Sequence, residues 1–214
     1  YRLIAYLGQE ETVTLPTNVN GVLYAIYRMR GVRNVIIPNC IASIDDYAFD
    51  GCNTLTSIVV PNSVTSIGES AFRGCSNLTS VTIPDSATSI GESAFKDCSN
   101  LLEITLPFVG ESERATSIRS VFGYIFGYEV VRGSHTIDGT TCQYYEAAPG
   151  GYLDYYYHYY IPMSLRKVTI TGGPIFDRAF YNCSGLTSII ISDGVTSIGA
   201  NAFYNCSGLT SIII

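Results

Sequence analysis

A step of 23 residues runs through most of this chain and limits its fold more than any other feature. Pro38, Pro61, Pro84 and Pro107 keep this interval, as do Cys52, Cys75 and Cys98. So do Ile44, Ile67 and Ile90, the pairs Ala48-Phe49, Ala71-Phe72 and Ala94-Phe95, and the leucines Leu55, Leu78 and Leu101. After an interruption, Ala179-Phe180, Cys183 and Leu186 recur 23 positions later as Ala202-Phe203, Cys206 and Leu209. Self-similarity at one fixed period is the mark of a stacked-repeat architecture.

Each column has a physical task. Leu78, Val81 and Ile83 stand among Thr and Ser with the period of two that marks a strand, and Pro84 stops the ladder because it has no amide proton. Residues 64–68 predict a second, shorter extended piece. Glu69-Ser70-Ala71-Phe72 predicts one helical turn with Ala71 and Phe72 inward. The residue before each repeat cysteine is Gly51, Gly74, Asp97, Asn182 or Asn205, all types that tolerate the left-handed region where a turn ends. So small a unit cannot bury its own apolar face. Stacked copies can, with coils about 4.8 Å apart. The crossover rule makes the coil right-handed.

The block LTSVTIPDSATSIGESAFKDCSN, residues 78–100, resembles the BspA-like leucine-rich repeat of 23 residues. The resemblance is close over residues 38–106 and 175–214 and loose over 11–37. It implies an extracellular protein, of the kind found on the surface of host-associated bacteria and some protists, with a role in adhesion and in binding host proteins. The expected fold class is α/β but β-dominated: a right-handed leucine-rich-repeat solenoid with a parallel sheet, short helical turns and one inserted loop or hairpin.

Residues 1–214 read as a single domain. Residues 1–37 form a divergent N-terminal cap, in which Val13, Leu15 and Pro16 mimic a strand ending, Ala25-Ile26 replaces Ala-Phe, and Met29 falls near the cysteine column. Regular repeats fill 38–107 and resume over 165–214 through Leu165, Val168 and Ile170, with no C-terminal cap. Tyr1 is preceded by no initiator Met or signal region, and the last residues are a strand-like run, so the chain reads as a piece of something longer. Its final strand is then an open apolar edge for self-association.

The interruption spans 108–164. Cys98 and Cys183 lie 85 residues apart, 39 more than two undisturbed steps. Asp138-Gly139 between residues 134–137 and 140–142 signals a hairpin, and residues 147–151 a turn. Ten of the 17 tyrosines and both histidines fall here, so the insert is the chemically distinctive part of the chain.

Composition excludes several functions. With 47% hydrophobic residues the chain can bury a core, so disorder is excluded. A net charge of −6 without a basic stripe excludes nucleic acid as a partner. No segment reaches the roughly 18 apolar residues of a membrane helix, which leaves membrane attachment to parts absent from this chain. Five of seven cysteines share the inward column and read as a stack of buried thiols. An in-register ladder points them in parallel, not at one another, and no CxxC-type cluster suggests zinc. Cys40 and Cys142 lie off the column, and a bridge between them stays open. Ser134, His135 and Asp138 cannot converge as a triad, because neighbours in a hairpin alternate faces. Asp45-Asp46 occupy the glycine and glutamate positions of the repeat. The chain therefore reads as non-enzymatic, with no catalytic, metal or cofactor site.

Two surfaces remain for binding. One is the tyrosine run, with Tyr152, Tyr155, Tyr157, His158 and Tyr159 as contacts, since tyrosine joins a large apolar face to a polar tip; the alternative is that alternate tyrosines pack the insert onto the solenoid. The other is the outward column Ile36, Val59, Thr82, Thr105, Thr169, Ile190 and Ile213, with Val59, Thr82, Thr105 and Thr169 as its contacts. A β-branched ladder serving strand stability alone is the plainer reading of that column. The expected function is a non-enzymatic extracellular adhesion or protein-interaction module for a host or matrix protein. Carbohydrate or mucin binding through the tyrosine-rich insert and a structural spacer are the alternatives.

Overall fold

The computed structural model of the chain describes residues 12–15, 22–23, 32–132, 142–146 and 155–214. Proline at the end of each apolar run keeps the first strands short: β1 (Thr12–Thr14), β3 (Asn34–Ile36), β5 (Ser57–Val59), β7 (Ser80–Thr82) and β9 (Glu103–Leu106). The second extended piece of each coil gives β2 (Val22–Leu23), β4 (Ser43–Ile44), β6 (Ser66–Ile67) and β8 (Ser89–Ile90). The sequence period becomes register directly. Ser43 aligns with Ser66 and Ser66 with Ser89, each pair parallel. The result is a β-solenoid of leucine-rich-repeat type.

One wall consists of β1-β3-β5 followed by β7-β9-β13-β14-β15, and the other of β2-β4-β6-β8. β13 (Lys167–Ile175) and β14 (Ser188–Ile198) are longer because in these coils the strand continues through the corner, aligning Lys167 with Ser188 at one end and Ile175 with Ile198 at the other. β15 (Ser211–Ile213) pairs with the start of β14.

Between the walls lies one apolar core. Phe49, Phe72 and Phe95 stack with centroids 5.2 Å apart at each step and rings within 6° of parallel. Phe180 and Phe203 repeat this at 5.4 Å. Cys52, Cys75, Cys98 and Cys183 are buried beside them, while Cys206 is half-buried. Hydroxyls tie coil to coil along the corners: Ser63 and Ser86 donate to the carbonyls of Ile41 and Val64, and Thr65 and Thr88 to those of Ala42 and Thr65.

The expected helical turn is not a helix. Tyr47, Ser70, Ser93, Arg178 and Asn201 all have φ between 52° and 58°. A positive φ breaks the right-handed turn after one residue. It also swings the amides along the stacking axis: Phe49 N donates to Ala71 O at 2.7 Å and Phe72 N to Ala94 O at 2.8 Å. The segment therefore bonds to the next coil like a sheet. A second left-handed column follows at Gly51, Gly74, Asp97, Asn182 and Asn205, where the sequence placed one. Among the described residues the helices are 3-10 turns, Ser117–Ser120 and Phe122–Phe126, and none is long and apolar enough to cross a membrane.

The insert is smaller than the sequence implied. Residues 108–126 remain within the coil. Ile90 N donates to Glu111 O at 2.8 Å, Phe95 N to Ile125 O at 2.8 Å, and Phe122 N to Ala179 O at 2.8 Å. The Phe122 ring lies 4.8 Å from Phe180, so it continues the aromatic stack. The excursion proper is an antiparallel sheet of β10 (Tyr128–Arg132), β11 (Cys142–Glu146) and β12 (Tyr155–Tyr160) in the order β10-β12-β11. Tyr160 N donates to Gly127 O at 3.1 Å, so its two roots are adjacent. The hairpin expected around Asp138-Gly139 lies outside the described residues. The strands flanking it, β10 and β11, are not partners, because β12 lies between them.

Candidate functional site

Alternation along the short strands buries Val35, Ile58, Val81, Ile104, Val168 and Ile189 and turns their neighbours outward. Parallel register then gathers the outward residues into rows. Thr14, Ile36 and Val59 align across β1-β3-β5, and Thr82, Thr105, Thr169, Ile190 and Ile213 across β7-β9-β13-β14-β15. Thr79 N joins the two sheets by donating to Thr56 O at 3.3 Å. Val59 is 66% exposed and Ile36 46%; Thr82 is exposed, and Thr105 and Thr169 are half-buried. The flanking row is Ser57, Ser80, Glu103, Lys167, Ser188 and Ser211, with Lys167 Nζ 3.2 Å from Glu103 Oε2. Val59, Thr82, Thr105 and Thr169 thus share one face.

The tyrosine run is not a uniform surface. Tyr152 lies outside the described residues. Tyr155 and Tyr157 pair by backbone with Arg132 and Val130, and His158 is half-buried. Tyr159 has no exposed surface, and its ring centre is 5.5 Å from that of Tyr128. A side chain so enclosed cannot meet a partner, so Tyr159 is withdrawn as a contact. It anchors β12, the central strand of the excursion, against the solenoid. The neighbouring Tyr160 is 40% exposed, and Leu102 and Met163 are also exposed; sequence reasoning missed all three.

The thiols are chemically quiet. Cys75 Sγ donates to Phe49 O and Cys98 Sγ to Phe72 O, both at 3.3 Å, and Cys206 Sγ to Phe180 O at 3.0 Å. Burial pushes Cys98 up to about 12 and Cys206 to about 11, and raises Cys75 and Cys183 further from reactivity. Neither a nucleophile nor a metal ligand is made this way. Cys40 is exposed, off the buried column. Asp45 and Asp46 serve the turn: Asp46 Oδ1 accepts from Glu69 N at 2.7 Å, and Asp45 Oδ1 from Asp46 N at 3.0 Å.

A second concave feature was not foreseen. Where Phe108 and Val109 turn into the core, the corner of that coil is recessed. The coils on either side meet across the gap, with Thr171 Oγ1 donating to Asp85 Oδ1 at 2.6 Å over 86 positions of sequence. The resulting cleft, about 440 Å³, is lined by Asp85, Glu113, Arg114, Thr171 and Thr196 above Gly172, Gly173 and Gly194. A Cβ on Gly194 would lie 2.2 Å from Thr171 O, so glycine is required there. A neighbouring depression of about 460 Å³ shares Pro174 and adds Thr116, Ser120, Phe176 and Ser197. The sequence signal was Thr171-Gly172-Gly173-Pro174, which breaks the usual corner.

A family model described as BspA type Leucine rich repeat region matches six copies, over residues 22–122 and 155–214. No curated protein matches the chain. Among solved structures, the T. pallidum Leucine Rich Repeat protein is 19% identical and superposes with a TM-score of 0.55, covering 96% of this chain and 81% of that one, a likeness of fold. A leucine rich cell surface protein from Faecalibacterium prausnitzii A2-165 is 22% identical, covering 98% of this chain and 71% of its own at a TM-score of 0.35. The Pneumococcal vaccine antigen PcpA is 16% identical, covering 98% and 62% at 0.41.

Proposed function

The chain belongs to the BspA-type leucine-rich repeat family, and from that premise we propose that it is a non-enzymatic protein-interaction module acting outside the cell in adhesion to a host or matrix protein. The observation that carries this reading is the outward row from Ile36 to Ile213. Repeat stacking presents it as a continuous face with exposed aliphatics near both ends and threonines between. Solenoids use extended faces of this kind to engage partners. Branched aliphatics and hydroxyls held on paired strands lose little side-chain freedom on binding. The extracellular setting rests on the family's implied biology.

The test is solid-phase binding to a panel of extracellular matrix and serum proteins. A Thr82→Arg, Thr105→Arg variant should lose at least tenfold in retention of any protein captured, with its thermal midpoint unchanged. Capture that survives this variant and disappears in Tyr155→Ala, Tyr157→Ala would move the site to the excursion. Capture of no panel member would sink the adhesion reading. Tyr159 has no place in that comparison, because its truncation would damage the core.

A further inference from the structure

We infer that the cleft between Asp85 and Thr196 is a binding site for a neutral oligosaccharide, separate from the sheet face and independent of its protein partner. The cleft exists because residues 108–110 turn inward, which Gly110 allows at φ 86°, where a Cβ would lie 2.1 Å from Arg119 O. In a stacked-repeat protein, the break in the repeat is where a concave surface can form.

The lining chemistry selects the ligand class. Among the described residues, no side-chain hydrogen bond or ion pair engages the Glu113 carboxylate or the Arg114 guanidinium. Asp85 spends Oδ1 on Thr171, which fixes its carboxylate and leaves Oδ2 toward further donors. Carboxylates and a guanidinium are planar two-pronged groups whose spacing suits vicinal hydroxyls, and Thr196 adds a hydroxyl able to donate or accept. The glycine floor lets a flat ring approach the backbone closely. Past Pro174, Phe176 offers an apolar face among Thr116, Ser120 and Ser197, so the groove continues in the same mixed chemistry. Both volumes fall in the range of small-ligand sites.

Two observations disfavour other occupants. Asp85 and Glu113 outweigh Arg114, which opposes a sulfated or otherwise acidic ligand. β13 is already paired with β14 along its length and with β9 over Lys167–Ile170, and Pro174 lacks an amide, which leaves little free edge for an added peptide strand.

The test is an array of neutral and sulfated oligosaccharides probed with the whole chain, then calorimetry with the best neutral hit. The wild type should retain neutral glycans in preference to sulfated ones. Glu113→Gln with Arg114→Ala should weaken the calorimetric affinity at least tenfold while the thermal midpoint stays put. Val59→Glu, on the sheet face, should bind the glycan like wild type. Retention of no neutral glycan, preference for sulfated ones, or an affinity in the double variant within twofold of wild type would overturn the assignment, whatever becomes of the protein partner.

Discussion

Cys98 donates its thiol proton to the carbonyl of Phe72, 3.3 Å away in the preceding coil. The bond ties the cysteine column to the aromatic one, and it recurs from Cys75 to Phe49 and from Cys206 to Phe180. Two columns that look independent in the sequence are one interlocked strip. The loss of either member is felt by the coil above or below.

Truncating the stack should therefore be costly. Phe72→Ala removes a fully buried ring sandwiched between Phe49 and Phe95 and should cost about 3–5 kcal/mol. Thr82→Ala, on the exposed row, should cost under about 0.5 kcal/mol. Urea unfolding of both variants checks the assigned faces, and equal losses would contradict them.

Thiol reactivity should separate Cys40 from the ladder. Native protein treated with iodoacetamide at pH 8 should be modified at Cys40, with Cys75, Cys98 and Cys183 labelled only after denaturation. Their burial and raised proton affinity keep the thiolate from forming. Peptide mapping by mass spectrometry reads the outcome site by site, and prompt labelling of Cys98 would refute the packing.

The first left-handed column can be probed at Asn201, an exposed residue with φ 55°. Asn201→Gly should leave stability within about 0.5 kcal/mol, whereas Asn201→Val should lose about 1–2 kcal/mol, since a β-branched side chain crowds that conformation. Matching melting curves for the two would show the positive φ to be unimportant.

Glu92 supplies a pH signature. Burial is the main cause holding its carboxyl above the usual range, the Glu69 charge adds to it, and Arg119 and Lys96 pull the other way. A raised folded value favours the protonated form, so the stabilisation is present at low pH and is lost as pH rises through that value. Glu92→Gln should be more stable than wild type at pH 7, and the gap should close as the pH falls toward 4. A gap that widens on acidification would reverse the sign.

The columns were legible because burial repeats every turn of the coil and leaves the same residue type behind. Phe, Cys, Ile and the Gly-or-Asn column all speak in this way. The other left-handed column was not, because Tyr47 and Arg178 occupy it and neither type advertises a positive φ. Coil-to-coil bonding of the amides holds them there, which is a tertiary cause. Residues 108–126 misled for a related reason: Phe122 enters the aromatic stack from an irregular spacing, so its place was invisible until Phe180 lay beside it. The tyrosine run showed that the insert was special without showing which rings face inward, as Tyr159 proves. The cleft needed Asp85 and Thr171 to meet across an intervening coil.

Gly127 and Tyr160 stand at a narrow neck, joined by a backbone bond where the pairing of Tyr128 with Tyr159 begins. Exit and re-entry are adjacent, so the rise per turn is blind to the length of what lies between. A graft cut at that neck could exchange one ornament for another while the scaffold kept its pitch. Such a molecule can diversify across its axis while staying constant along it.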